Sequence, residues 1–141
     1  MKNRYIYTWD EFYTDVDTLA KKLKGQNFQG LLIITKGGLF LGGLLAEKLQ
    51  INFVETICVN SYIETQKHVL RIIKAPKYEK LPARLLIVDD VSDTGDTLKY
   101  VSEDFKAPTA TLFTKKGTKC QPTFSLHEVE ADTWIEFPWE S

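Results

Sequence analysis

The chain has 141 residues, 43% hydrophobic and 26% charged, with 18 basic against 19 acidic residues and a formal net charge of -1. Those figures describe one folded domain that needs no disulfide or metal staple, and they exclude a disordered chain, a collagen-like fibre and a coiled coil. They leave no basic field for nucleic acid, and no apolar run reaches the roughly 20 residues that span a bilayer.

Met1–Trp9 lacks the apolar stretch of a secretory signal, and Cys58 and Cys120 have no CxxC spacing, so a cytoplasmic protein with reduced thiols is expected. Thr8-Trp9-Asp10-Glu11 fits a capping box, and Phe12, Val16, Leu19, Ala20 and Leu23 form one apolar helical face. The basic last turn of that helix ends at Gly25. Leu31–Thr35 is a short continuous apolar run, the pattern of a strand buried on both faces. Lys36-Gly37-Gly38 interrupts it, and Leu39–Leu49 reads as a helix. Phe53–Val59 reads as a further strand. Ser61–Pro82 is polar and basic, and it reads as a mobile excursion or extended hairpin carrying Lys67, Arg71, Lys74, Lys77 and Lys80. Arg84–Val88 is the strongest buried strand, and it runs directly into Asp89–Thr97. A short helix through Leu98, Val101 and Phe105, a strand at Ala110–Phe113 and a last strand at Thr133–Phe137 complete the chain. Strands alternating with helices predict an α/β protein with an open, mostly parallel twisted sheet flanked by helices.

Ligands of such sheets bind beyond the carboxyl ends of the strands. Three unusual loops are expected there: Lys36-Gly37-Gly38, Asp89–Thr97 and Lys115-Lys116-Gly117. The adjacent carboxylates of Asp89 and Asp90 repel unless sugar hydroxyls or a magnesium ion offset their charge. Asp93-Thr94-Gly95-Asp96-Thr97 opens a helix, where free N–H groups and the helix dipole favour an anion, and Gly95 permits close backbone approach. Asp96 brings a negative charge to that position. Taken singly, Lys36-Gly37-Gly38 suits an ordinary strand-to-helix turn, Lys115 a surface lysine, and Trp134 a packing residue.

Leu85–Leu98, LLIVDDVSDTGDTL, resembles the phosphoribosyl-pyrophosphate motif of the type I phosphoribosyltransferases. YIYTWDEF, ITKGGLFLGGLLAEKL, VNSY and DTWIEFPW are similar, in order, to segments of the bacterial xanthine–guanine branch. The resemblance implies a single domain over residues 1–141, with a flexible hairpin-like loop and a small purine-binding hood on the sheet. It implies transfer of the phosphoribosyl group from phosphoribosyl pyrophosphate to a 6-oxopurine (guanine, xanthine or hypoxanthine), with Mg2+ as cofactor, in a homo-oligomer.

Residue by residue, the resemblance implies that Asp89 and Asp90 hold the ribose hydroxyls and the metal, and that Asp93, Thr94, Gly95, Asp96 and Thr97 cradle the 5′-phosphate. Lys36, Gly37 and Gly38 would form the pyrophosphate loop, in which the family commonly has a non-proline cis peptide. Ser61 and Tyr62 would begin the flexible loop. Lys115 would donate to the purine oxygen, Trp134 would stack on the ring, and the Ile135 backbone would meet its edge. Asp93 is the implied general base, and Lys36 would stabilise the leaving pyrophosphate. The alternative on the same residues is a non-catalytic regulator that senses phosphoribosyl pyrophosphate or a nucleotide, without a working base pocket.

Overall fold

In the computed structural model, which describes residues 3–77 and 81–140, the elements run β1 (Arg4–Ile6), α1 (Trp9–Leu23), β2 (Gly30–Thr35), α2 (Leu39–Leu49), β3 (Phe53–Glu64), β4 (Lys67–Lys74) and β5 (Leu85–Val88). They continue with β6 (Val91–Ser92), α3 (Asp96–Phe105), β7 (Thr109–Ala110), β8 (Phe113–Lys115), β9 (His127–Val129), β10 (Trp134–Glu136) and a 3-10 turn at Pro138–Glu140. A five-stranded sheet in the order β4-β3-β2-β5-β7 forms the centre, parallel throughout except for β4.

The apolar runs of β2 and β5 are continuous because both faces of these strands are covered. Leu31, Ile33, Leu86 and Val88 pack with Phe12, Leu19, Leu41 and Leu45 of α1 and α2. The alternate residues Leu32, Ile34, Leu85 and Ile87 pack with Leu98 and Val101 of α3 on the opposite face. Helices therefore lie on both sides of the sheet. From β2 the chain crosses through α2 to β3 on one side, and from β5 it crosses through α3 to β7 on the other. The two crossovers diverge between β2 and β5 and leave a crevice at the carboxyl ends of these strands.

Two smaller sheets sit at that end. The parallel pair β1–β10 aligns Tyr5 with Ile135, and β6-β8-β9 aligns Lys115 with Val129. Interlocking rings join them: Tyr7 meets Phe113 edge-on at 4.9 Å and Phe137 at 5.8 Å between centroids. This is a hood of the kind the resemblance implies.

The predicted elements differ from the observed ones in two places. The strand expected at Phe53–Val59 continues to Glu64, so Ser61 and Tyr62 lie within β3, paired with Leu70 and Val69, and do not open a loop. Of the two readings of the segment from Ser61, the extended hairpin is the one observed as far as Lys74, antiparallel with a register shift at Cys58–Val59 and its turn carried by Thr65 and Gln66 at φ 50° and 63°. Cross-strand polar contacts support it, with Arg71 stacked over the Tyr62 ring at 4.4 Å. Lys80 lies outside the described residues. The strand expected at Ala110–Phe113 is broken in two: β7 stays in the main sheet, whereas Leu112 and Phe113 donate their N–H groups to the Asp90 carbonyl and carry β8 into the hood. β1 and β9, three residues each, had no expectation from periodicity.

The capping box is formed as the sequence predicts. The Glu11 N–H donates to Thr8 Oγ1 at 3.2 Å, and the Thr8 N–H donates to the Glu11 carboxylate at 2.8 Å. Thr8→Ala is expected to lower the unfolding free energy by about 1 kcal/mol. Urea denaturation of wild type and variant would measure it, and an unchanged midpoint would show that the cap contributes nothing.

Candidate active site

The crevice between β2 and β5 contains the acidic motif. Ile33 pairs with Val88, so the chain leaving β2 at Thr35 passes beside the chain leaving β5 at Asp89. The Thr35–Lys36 peptide is cis, within the loop where the resemblance places one. Gly37 approaches Asp90 so closely that an added Cβ would lie 2.8 Å from both carboxylate oxygens. At Gly38 a Cβ would lie 2.6 Å from the Val88 carbonyl oxygen. A larger residue at Gly37 would displace the Asp90 carboxylate, and one at Gly38 would displace backbone.

Asp89 accepts a hydrogen bond from the Asp90 N–H, and Asp90 one from the Val91 N–H, each at 2.8 Å. Burial, reinforced by the neighbouring Asp90 charge, pushes the Asp89 carboxyl well above the usual carboxylate range. Burial also raises Asp90, with the Glu140 charge adding to the effect. Among the described residues no group of three or more His, Cys, Asp and Glu side chains is arranged to hold a metal. Two desolvated carboxylates fit a hard cation that takes its remaining ligands from water and substrate oxygens, as magnesium does.

Asp93, Thr94, Gly95 and Thr97 line a cavity of about 280 Å³ with Thr35, Gly37, Asp89 and Asp90. Gly95, at φ 89°, precedes α3 in a conformation that favours glycine. A second cleft of about 570 Å³ lies across the Lys36–Gly37 loop and shares Gly37 and Asp90 with the first. It adds Lys36, Leu39, Phe40, Trp139 and Glu140. Lys115 comes from β8, and its ammonium lies 3.1 Å from the Asp93 carboxylate. Trp134 projects from β10 with 56% of its surface exposed, beside the buried Ile135.

The structure thus brings Gly37, Asp89, Asp90, Asp93–Gly95 and Thr97 around one cavity, with Lys36 in the adjoining cleft and Lys115 paired to Asp93; Gly38, Asp96, Trp134 and Ile135 line neither. Ser61 and Tyr62 stand on the hairpin arm and line neither cavity. The Asp96 carboxylate reaches outward to Lys119 at 2.9 Å. Thr118, Lys119 and Cys120 back the Asp93–Thr97 loop, a role that nothing in the sequence signals beyond their closeness to Lys115 in the chain.

A parallel sheet with a switch-point crevice, an acidic pair and a helix N-terminus makes this an α/β protein whose crevice suits a phosphorylated ligand. The family model for the phosphoribosyl transferase domain matches residues 3–140. The chain belongs to the phosphoribosyltransferase family. It is 34% identical over 138 residues to the xanthine-guanine phosphoribosyltransferase of Chromohalobacter salexigens, covering 97% of this chain and 84% of that one. Its fold is similar to a purine phosphoribosyltransferase from Pyrococcus horikoshii, with a TM-score of 0.88 and 29% identity over 98% of this chain and 95% of that one. It is likewise similar to the Helicobacter pylori xanthine-guanine-hypoxanthine phosphoribosyltransferase, with a TM-score of 0.87 and 25% identity over 98% of this chain and 94% of that one.

The raised carboxyl of Asp89 has a consequence for stability. A native state that binds this proton more tightly than the unfolded chain gains stability as pH falls from neutral toward about 4, where an ordinary aspartate titrates. Asp89→Asn, which keeps the acceptor and removes the charge, is therefore expected to raise the melting temperature of the ligand-free protein at pH 7. The gain should shrink toward pH 4. A variant that melts lower than wild type at pH 7 in thermal scans would contradict this reading.

Proposed function

We propose that the protein transfers the 5-phosphoribosyl group of phosphoribosyl pyrophosphate to a 6-oxopurine, releasing pyrophosphate, with the whole chain acting as one catalytic domain. The observation that carries this reading is the Lys115–Asp93 pair, a donor and an acceptor 3.1 Å apart at the mouth of the crevice. The oxo group of guanine, xanthine or hypoxanthine is an acceptor beside a ring nitrogen, and neighbouring protein groups can grip those two atoms together. Opened by the base, the pair offers Lys115 to the oxygen and Asp93 to the ring N–H. Adenine presents an amino donor where Lys115 needs an acceptor, so the site disfavours it.

In this reading Asp93–Thr97 receives the 5′-phosphate through backbone N–H groups and threonine hydroxyls. Asp89 and Asp90 accept from the ribose hydroxyls and would hold magnesium beside them. Bound magnesium supplies neutralisation of the pyrophosphate charge. Lys36 and the backbone of Gly37 and Gly38 receive the leaving pyrophosphate. Asp93 takes the proton as the base attacks the sugar carbon. Trp134 stacks on the purine, and the Ile135 backbone meets its exocyclic edge. The arm bearing Ser61 and Tyr62 covers the reacting sugar and excludes water from an oxocarbenium-like transition state. We also infer a cytoplasmic homo-oligomer. Among the described residues no helix is long and apolar enough to cross a membrane. The half-exposed side chains of Tyr13, Leu39 and Phe40 support self-association.

Pyrophosphate release with magnesium, phosphoribosyl pyrophosphate and each of guanine, xanthine, hypoxanthine and adenine tests the reading. Release with at least one 6-oxopurine and none with adenine is expected. Silence with every base, from protein that still binds phosphoribosyl pyrophosphate, would favour the sensor. Asp93→Asn is expected to lower kcat by about 100-fold with little change in KM. Trp134→Ala is expected to weaken purine binding by about tenfold while phosphoribosyl pyrophosphate affinity holds. Equal losses for both ligands in calorimetry would make Trp134 structural.

A further inference from the structure

Asp96 sits at the first residue of α3, where the helix N-terminus is most receptive to negative charge. A carboxylate there competes with an incoming phosphate for the same N–H groups and repels it. The side chain is instead held on the outer side of the loop. Its Oδ1 accepts from the Lys119 ammonium at 2.9 Å, both side chains being substantially exposed. Lys119 is the leading influence that holds the Asp96 carboxyl below the usual range, and His68 on the hairpin arm adds a smaller pull in the same direction.

The segment bearing Lys119 is fixed against the loop through its main chain as well. The Lys119 N–H donates to the Thr94 carbonyl at 2.8 Å. Ser92 Oγ donates to the Cys120 carbonyl at 2.7 Å and lies 2.8 Å from Thr118 Oγ1. A Cβ on Gly95 would lie 2.6 Å from the Cys120 nitrogen and 2.8 Å from the Lys119 nitrogen. The backbone contacts fix the distance between the two segments, so the ammonium of Lys119 is delivered to Asp96 without distorting the loop.

We infer that Lys119 is a positioning residue for phosphoribosyl pyrophosphate, which keeps the phosphate cradle open to an anion by drawing the Asp96 carboxylate out of it and cancelling its charge. This rests on the assignment of Asp93–Thr97 to the 5′-phosphate under the proposed function. Lys119 itself touches no substrate; its effect passes through Asp96. The ion pair matters here as charge balance, since an exposed pair contributes little to folding.

Calorimetric titration with phosphoribosyl pyrophosphate and magnesium tests it without requiring turnover. Lys119→Met is expected to weaken binding about five- to tenfold, the size of one uncompensated charge at a partly exposed site. Lys119→Arg should bind as wild type does. The double variant Lys119→Met/Asp96→Asn should recover the lost affinity, which a merely structural role for Lys119 would not produce. In steady-state assays the single Met variant should raise KM for phosphoribosyl pyrophosphate and leave kcat within twofold. Wild-type binding with the Met variant within twofold of it, or a double variant that stays as weak as the single one, would overturn the inference and leave the proposed function standing. No binding by wild type would remove both.

Discussion

A carboxylate at the end of a strand buried on both faces has little water to share its charge, and Asp89 and Asp90 stand side by side in that position. Their placement follows from the sheet. Because the crossovers from β2 and β5 leave in opposite directions, the ends of these strands face a crevice that no helix fills. Asp90 also shapes its surroundings with its own backbone. Its carbonyl accepts from Leu112 and Phe113 and so turns the chain out of the main sheet into the hood, while its side chain confronts Gly37. One residue thus links the acidic floor of the crevice to the element that carries Lys115.

The electrostatics around this pair are divided. Asp93 and Asp96, in the loop after β6, are each met by a lysine from the segment after Phe113: Lys115 for the first and Lys119 for the second. Asp89 and Asp90 bond instead to backbone N–H groups. The carboxylates at the Asp93–Asp96 end are therefore balanced by lysines, whereas the buried pair has no cation beside it among the described residues, an arrangement that favours a ligand accompanied by a cation over a bare anion.

Much of this was legible in the sequence where one physical rule governed the outcome. The capping box of Thr8 and Glu11, the two-sided burial of Leu31–Ile34 and the bounds of Leu39–Leu49 all follow from local chemistry or period, and the structure has them in place. The hairpin was less legible because Thr65-Gln66 occupies a positive-φ turn without the glycine or asparagine that usually announces one. The break at Thr111–Leu112 depends on the Asp90 carbonyl, 22 residues back from Leu112, and no window of local periodicity contains it. The short strands β1 and β9 exist only through partners distant in the chain. In the site, the types and order of residues from Asp89 to Thr97 pointed to phosphate and sugar before any geometry was known. The pairing of Asp96 with Lys119 did not show, because a surface lysine carries no pattern of its own.

The pairing of β1 with β10 joins two segments that lie far apart in the chain. Arg4 reaches Glu136, 132 residues away, through two hydrogen bonds, and the same ladder aligns Arg4 with Trp134. Neither strand pairs with the main sheet, so each depends on the other for its backbone hydrogen bonds. Closing so long a loop adds only a modest entropy cost once the sheet has brought its ends near. The strand bearing Trp134 is thereby held through β1 and not through the main sheet, whose strand ends wall the crevice.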